Sequence, residues 1–162
     1  MLLRSEAGIT DLETSPQNSM ITLTKVQAEE LFAHAREANP NECCGLIGGT
    51  AAGVAQSVYR LRNLAANPLV TYEAAPEDLF KAQRSMRERG EHLLAIYHSH
   101  PRAADPYPSE TDVRLAYYPT AVYLIIGLGN QEPCLKAFRI SEKEGEWQPA
   151  PLSIVPEIDA KP

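Results

Sequence analysis

Two apolar runs do most to limit what this chain can fold into. Residues 93–97 read LLAIY and residues 121–128 read AVYLIIGL, and each is far shorter than the roughly 18 residues that a membrane span requires. Short runs of this composition are typical of strands in the centre of a sheet, where both faces are buried. Further strands are predicted at 43–49, 54–64 and 134–140. The chain is therefore expected to build one central sheet.

End signals predict two helices between these strands. Thr24 and Gln27 form the pattern of a capping box, and Asn39, which precedes a proline, marks the end of the first helix. Pro76 suits the first position of the second helix, and Gly90 suits its C-terminal stop. Helices mixed with strands in this order predict an α/β fold with a central mixed β-sheet flanked by helices.

Length and composition indicate one domain. The chain has 162 residues, of which 44% are hydrophobic, which suits a single core. We expect this domain over residues 20–155, after a polar leader at 1–19 and before a tail at 156–162. A domain of this size folds without disulfides or a structural metal. Any metal that it binds is therefore free to serve a function.

The charge and the cysteine content limit the expected partners and the expected cellular compartment. The 15 basic and 21 acidic residues give a formal charge of -6, and no basic run is present that would bind a phosphate backbone, so nucleic acid is not an expected partner. The three cysteines, Cys43, Cys44 and Cys134, are odd in number, and two adjacent ones cannot easily bridge because they project to opposite faces of a strand. With no membrane span or signal segment in the sequence, these features predict a cytoplasmic protein.

A pair of histidines follows the first apolar run. If residues 93–100 are extended, His98 and His100 project from the same face and form a two-nitrogen clamp. Two imidazoles and one carboxylate leave the fourth position of a tetrahedral zinc ion open for water, as catalytic zinc sites require. Asp112 is the best candidate for that carboxylate.

Each part of this pattern also has a structural interpretation. His-x-His pairs are often structural, and Ser109-x-x-Asp112 is a capping box that predicts a helix over residues 109–118. Both halves follow an apolar strand, where sites in α/β sheets tend to lie, and the proline-rich link can bring the helix start back to the histidines. A further carboxylate, Glu42, opens the apolar run 43–49, either as a base or as a polar end to the strand.

Together these residues resemble the JAMM motif of the MPN-plus (Mov34/MPN/PAD-1) zinc metallopeptidases. That motif consists of a glutamate, a distant His-Ser/Thr-His-Pro and a Ser-x-x-Asp, matched here by Glu42, residues 98–101 and residues 109–112. The resemblance covers residues 20–140 and includes the Glu-x-Cys-Gly-Leu stretch at 42–46. It implies the cytidine-deaminase-like MPN fold.

The resemblance also implies a role for each motif residue. The ligands of zinc would be His98, His100 and Asp112. Glu42 would take a proton from the attacking water, and Ser109 would stabilise the tetrahedral intermediate.

One spacing departs from the family pattern. Eight residues, 101–108, separate His100 from Ser109, where the family has seven. The extra residue either bulges outward or shifts the downstream residues relative to the histidines. Asp105 within this link is an alternative ligand, but Asp112 is preferred because it keeps its spacing to Ser109.

The resemblance implies hydrolysis of the peptide or isopeptide bond after the C-terminal Gly-Gly of a ubiquitin-like or sulfur-carrier protein, releasing, for example, cysteine or a lysine amine. The short bacterial type is favoured because no long insertion follows the motif. An exposed edge strand over residues 67–72 is the expected docking place for the extended tail. Related proteins often form homodimers, so a homodimer is also compatible with the resemblance.

Two other functions are compatible with the sequence. A catalytically inactive MPN scaffold would bind a protein partner without metal. A cysteine hydrolase would use Cys43 or Cys44 with a histidine, although free cysteines in an apolar strand are often buried core residues. Metal content and sensitivity to a chelator separate these functions from a zinc peptidase.

Overall fold

The computed structural model describes residues 20–157. The predicted leader, 1–19, and residues 158–162 of the predicted tail lie outside the described residues. The helices are α1 (Lys25–Ala38), α2 (Pro76–Arg89) and α3 (Glu110–Arg114). The strands are β1 (Ile21–Thr24), β2 (Cys44–Gly49), β3 (Ala55–Leu61), β4 (His92–His100), β5 (Val122–Gly127), β6 (Cys134–Ser141), β7 (Glu146–Pro149) and β8 (Leu152–Val155).

Six strands form the main sheet in the order β3-β2-β4-β5-β6-β7. Neighbouring strands are antiparallel except β4 and β5, which are parallel. Strands β1 and β8 form a separate parallel pair. The main sheet is therefore mixed, and the predicted α/β fold with a central sheet flanked by helices is confirmed.

The two apolar runs occupy the middle of this sheet, as their composition predicts. Both β4 and β5 are buried over nearly their whole length. Along β5, Tyr123 and Ile125 face one core cluster and Leu124 and Ile126 face the other. Helix α2 packs in the first cluster and α1 in the second. The sheet is thus covered on both faces, and its strand ends are where polar groups can gather.

The predicted helix ends are confirmed. The side chain of Thr24 accepts a hydrogen bond from the Gln27 amide (3.1 Å), and the Gln27 side chain accepts one from the Thr24 amide (2.9 Å). Helix α1 stops directly before Asn39. Helix α2 begins at Pro76 and is followed by Gly90, whose φ of 66° is left-handed and therefore favours glycine.

The predicted edge strand over residues 67–72 was wrong. The chain turns there instead, and the Val70 amide donates to the Asn67 carbonyl (3.3 Å). Pro68 occupies the second position of this turn, where its fixed φ is suited to the geometry.

The helix after Ser109 is shorter than predicted. It ends at Arg114 rather than at residue 118. Pro119 disfavours a helical conformation of Tyr118, whose amide instead donates to the Tyr123 hydroxyl on β5 (3.3 Å). None of the described helices combines the length and the apolar character needed to cross a membrane.

Candidate metal centre

The histidines lie side by side at the C-terminal end of β4. The Nε2 atoms of His98 and His100 are 3.1 Å apart. The Oδ2 atom of Asp112 lies 3.1 Å from the first of these nitrogens and 3.0 Å from the second. Three candidate ligand atoms therefore form a small triangle, built from two residues of one strand and one residue of α3.

The capping box of α3 places Asp112 in this triangle. The Ser109 amide donates to Asp112 Oδ2 (2.9 Å), and the Asp112 amide donates to Ser109 Oγ (3.0 Å). The same carboxylate oxygen thus caps the helix and faces both imidazoles. Ser109 Oγ only accepts in this box, so its hydroxyl proton is still available for donation.

The eight-residue link folds back onto the sheet. The Ala103 amide donates to the His100 carbonyl (3.0 Å), and the Gly129 amide donates to the Ala103 carbonyl (2.9 Å). A side chain at Gly129 would meet backbone atoms of this link at 2.6 to 2.7 Å, which is why glycine is required there. Asp105, the alternative ligand, is 77% exposed and forms an ion pair with Lys136. The extra residue is accommodated without separating Asp112 from the histidines.

Glu42 lies beside the triangle, two residues before β2 begins. One of its carboxylate oxygens and one ring nitrogen of each of His98 and His100 all lie within 4.8 Å of one another. The backbone of Glu42 is held on both sides, because its amide donates to the Pro68 carbonyl (2.8 Å) and its carbonyl accepts from Asn63 Nδ2 (2.9 Å). All five residues that the motif predicts therefore lie at one strand end.

Three residues that the sequence analysis did not assign to the site support it. Ser99 Oγ accepts from the Cys43 amide (2.8 Å), so it fixes the residue next to the glutamate. Asn63 Nδ2 also donates to a carbonyl of the following loop (3.0 Å). The Tyr72 ring lies against the His98 ring, with centroids 4.7 Å apart and ring planes tilted by 30°. Of these three residues only Ser99 could have been found from the sequence, because alternation along a strand turns a residue between two histidines to the opposite face. The contacts of Asn63 and Tyr72 depend on the tertiary fold.

Burial and charge determine the state of the carboxylate. Burial by itself raises the pKa of the Asp112 carboxyl, but the charge of His98 and the hydrogen bonds from His100 and His98 outweigh it and hold this pKa well below its ordinary value. The group is therefore ionised at neutral pH, as a metal ligand must be.

The three atoms fit a zinc ion. Zinc bonds of about 2.0 to 2.1 Å in a tetrahedron place neighbouring ligand atoms about 3.3 Å apart, close to the 3.0 to 3.1 Å edges of this triangle. The side chains of His98 and Asp112 are 0% and 4% exposed, whereas that of His100 is 17% exposed. The triangle is thus enclosed on one side and open on the other, which leaves a position for a fourth ligand.

Two cavities flank Glu42. The small cavity has a volume of about 250 Å³ and is lined by Glu42, Leu69, Val70, His100, Pro101, Arg102, Ala103 and Ser109. The large cavity has a volume of about 660 Å³ and is lined by Glu42 and Cys43 with residues from α1, from the end of β3 and from the loop after it. Glu42 therefore lines both cavities, and the small cavity also includes His100 and Ser109.

The cysteines lack the features of a nucleophile. The thiols of Cys43 and Cys44 are buried, and Cys44 Sγ contacts the Leu61 carbonyl (3.7 Å). Burial raises the pKa of the Cys43 thiol to about 11, which is the reverse of the lowering that activates a catalytic cysteine.

Known proteins resemble this chain over most of its length. Residues 24–141 match the family model of prokaryotic homologues of the JAB domain. A desampylase from Haloferax volcanii is 34% identical over 113 residues, which cover 67% of this chain and 81% of that protein. A CysO-cysteine peptidase from Mycobacterium tuberculosis is 30% identical over 126 residues, which cover 77% of this chain and 84% of that protein.

A solved protein structure also resembles this chain. The solution structure of a protein from Desulfitobacterium hafniense matches with a TM-score of 0.76 at 40% identity, covering 86% of this chain and 96% of that one. The predicted family is confirmed, and the chain belongs to the prokaryotic JAB-domain family.

Proposed function

We propose that the chain is a zinc-dependent peptidase that hydrolyses the peptide or isopeptide bond after the C-terminal Gly-Gly of a ubiquitin-like or sulfur-carrier protein. The observation that carries this proposal is the triangle of His98, His100 and Asp112 atoms with the Glu42 carboxylate beside it. The relatives named desampylase and CysO-cysteine peptidase support the peptidase class.

The three ligand residues would hold zinc. When bound, zinc supplies Lewis-acid chemistry, because it lowers the pKa of water from about 15.7 toward 7 and polarises a carbonyl group. The protein holds the ligand carboxylate in the helix cap of α3, so Asp112 needs no rearrangement to serve.

Glu42 is the proton carrier of the proposed reaction. Its carboxylate accepts a proton from the attacking water, whose oxygen bonds to the glycine carbonyl carbon. The C–N bond then breaks, and the same carboxylate gives the proton to the leaving nitrogen, so the products are a carrier carboxylate and a free amine. The backbone hydrogen bonds to Pro68 and Asn63 hold Glu42 in place for both transfers.

Ser109 would stabilise the developing oxyanion. Its oxygen accepts a hydrogen bond from the Asp112 amide, and its hydroxyl proton can still be donated to the substrate oxygen. Removal of one such donor in other enzymes costs about 2.7 to 4 kcal/mol of transition-state stabilisation.

A substitution of Glu42 tests the proposed function. Glu42→Gln should retain one zinc ion per chain and lose cleavage of a Gly-Gly-linked substrate, because the amide cannot accept the proton. Glu91→Gln, which changes another buried carboxylate at the opposite end of β4, is the matched control and should keep both zinc and activity.

The outcomes of this test are distinct. Undiminished turnover by Glu42→Gln would exclude its role as proton carrier, and loss of zinc would assign it to the ligands. Wild-type protein without zinc or activity would instead favour the inactive scaffold. A cytoplasmic location, a homodimer and the lack of nucleic-acid binding stay predictions of the sequence.

A further inference from the structure

The two cavities that Glu42 lines have different neighbouring elements. The large cavity includes Leu61, the last residue of β3, and Asn63 just beyond it. Strand β3 is an edge of the main sheet. An extended Gly-Gly tail that adds to this edge would therefore enter through the large cavity. The leaving amine then occupies the small cavity.

The small cavity is lined mainly by apolar residues and by one cationic residue. Beyond the site residues it is formed by Leu69, Val70, Pro101 and Ala103, and by the exposed side chain of Arg102. A cavity of about 250 Å³ holds one amino acid rather than part of a folded protein.

Arg102 is not neutralised by a neighbouring acid. Within residues 20–157 no carboxylate forms an ion pair with Arg102, and the acid three residues on, Asp105, is paired with Lys136. Its backbone is fixed, because the next residue is hydrogen-bonded to His100 on one side and to Gly129 on the other. An exposed arginine with no ion pair among the described residues therefore lines the same cavity as Glu42, His100 and Ser109.

We propose that Arg102 binds the α-carboxylate of a single C-terminal amino acid, so that the chain releases a free amino acid from its carrier protein. This inference rests on the proposed function and names its leaving group. Guanidinium and carboxylate form paired, charge-assisted hydrogen bonds. In a free amino acid the carboxylate lies one carbon from the leaving nitrogen, within the same small cavity. A lysine isopeptide has no carboxylate at that place.

Three synthetic peptides test the inference with the zinc-loaded protein. The first ends in Gly-Gly-Ala with a free carboxylate, the second is the same peptide with a C-terminal amide, and the third carries Gly-Gly on the side-chain nitrogen of an internal lysine. Wild-type protein should cleave the first with a kcat/KM about tenfold or more above that of the other two, an order of magnitude expected for loss of a charged hydrogen-bond partner. Arg102→Gln should abolish this preference by lowering the kcat/KM for the acid peptide to that for the amide peptide.

Two variants serve as controls. Arg102→Lys keeps the charge but not the paired geometry, so it should retain part of the preference. Arg84→Gln removes the same charge from an exposed site on α2, where Arg84 pairs with Glu88, and should retain the full preference.

A binding measurement separates this inference from the proposed function. In the Glu42→Gln background, fluorescence anisotropy should show the acid peptide bound at least about fivefold more tightly than the amide, and the added Arg102→Gln should remove the difference. Equal affinity for acid and amide, or a preference for the isopeptide, would overturn the inference. Failure of the wild-type protein to cleave any of the peptides would count against the proposed function, while the binding difference would still decide the role of Arg102.

Discussion

A carboxylate is buried at each end of β4, but the neighbouring side chains differ between the two ends. At the N-terminal end Glu91 is 7% exposed, and its Oε1 accepts a hydrogen bond from the Tyr59 hydroxyl. At the C-terminal end Glu42 is 5% exposed and lies within 4.8 Å of two imidazole nitrogens. A buried carboxylate alone therefore does not mark a site; imidazoles that converge on it and an opening to solvent do.

The partners at each end account for this difference. Burial and the hydrogen bond to Glu91 raise the pKa of the Tyr59 hydroxyl, so at this end a neutral donor binds one oxygen of the acid, while the other oxygen is buried without a hydrogen-bond partner among the described residues. At the other end His98 and His100 lower the pKa of Asp112, and its carboxylate stays anionic. The C-terminal end therefore differs in the two imidazoles that share one carboxylate oxygen, an arrangement that offers electron pairs to a cation.

The largest expected contrast is in metal content. Asp112→Asn can still accept the Ser109 amide hydrogen bond, so α3 should persist, but a neutral amide is a poor zinc ligand. We expect less than about one tenth of a zinc ion per chain and a loss of activity of about 1000-fold, or about 4 kcal/mol of transition-state stabilisation. Glu91→Gln should keep its zinc. Elemental analysis after gel filtration measures both, and full zinc in Asp112→Asn would contradict the ligand assignment.

The second contrast concerns packing of β2 at its two ends. A methyl group at Gly45 would overlap the buried Tyr97 ring, whereas one at Gly48 would lie 3.0 Å from Glu91 Oε2. Gly45→Ala should therefore lower the free energy of unfolding by about 3 kcal/mol and Gly48→Ala by about 1 kcal/mol, since overpacking typically costs about 1 to 3 kcal/mol. Urea unfolding measures both values. Equal losses would show that the end near the site is not the more tightly packed one.

A third, smaller effect tests how Glu42 is held. Asn63→Asp keeps the two hydrogen bonds that the side chain accepts from loop amides but loses the two that it donates, to the carbonyls of Glu42 and Thr71. We expect kcat to fall about tenfold, equivalent to about 1.4 kcal/mol, with zinc content and KM unchanged because the ligands and cavities remain. Asn130→Asp makes the same chemical change at an exposed position and should be silent. A change in KM alone would assign Asn63 to substrate binding instead.

The parts of the site that could be predicted from the sequence are those that depend on local geometry. Alternation along a strand places His98 and His100 on one face, and the capping box fixes Asp112 against Ser109. Both patterns act over a few residues. The approach of Glu42 to the histidines was predicted only through the family resemblance, because it depends on β2 pairing with β4 across more than fifty residues.

The parts that could not be predicted depend on tertiary contacts. Hydrogen bonds with the Asn63 side chain, rather than regular strand pairing, hold the backbone around the loop over residues 67–72. An isolated asparagine in the sequence does not indicate such a role. Strands β7 and β8 were not predicted either. The residues of β7 are all exposed and show no apolar alternation, and β8 is a strand because it pairs with β1 at the other end of the described chain.

The last prediction concerns a pH dependence near the site end of the sheet. His34 Nδ1 on α1 lies within hydrogen-bonding distance of the Tyr97 hydroxyl (2.7 Å). Burial, and then the charge of Arg60, lower the pKa of His34 to about 4 from 6.5. The unfolded chain therefore binds this proton at a higher pH than the folded chain does, so the free energy of unfolding should fall as the pH drops from 6.5 toward 4.

His34→Gln separates this effect from other titrations. Glutamine can still hydrogen-bond to Tyr97 but does not titrate. Between pH 6.5 and 4 the free energy of unfolding of the variant should therefore fall by about 1 to 2 kcal/mol less than that of wild type. This value is reduced from the full pKa shift because His34 is only partly buried. Release of a bound metal in acid would affect both proteins equally and cancel in their difference. Unfolding at several pH values measures this difference, and an NMR titration of the His34 ring measures its pKa directly. A ring that titrates near 6.5 would show that solvent reaches His34 and that the packing of α1 on Tyr97 is looser than the contacts imply.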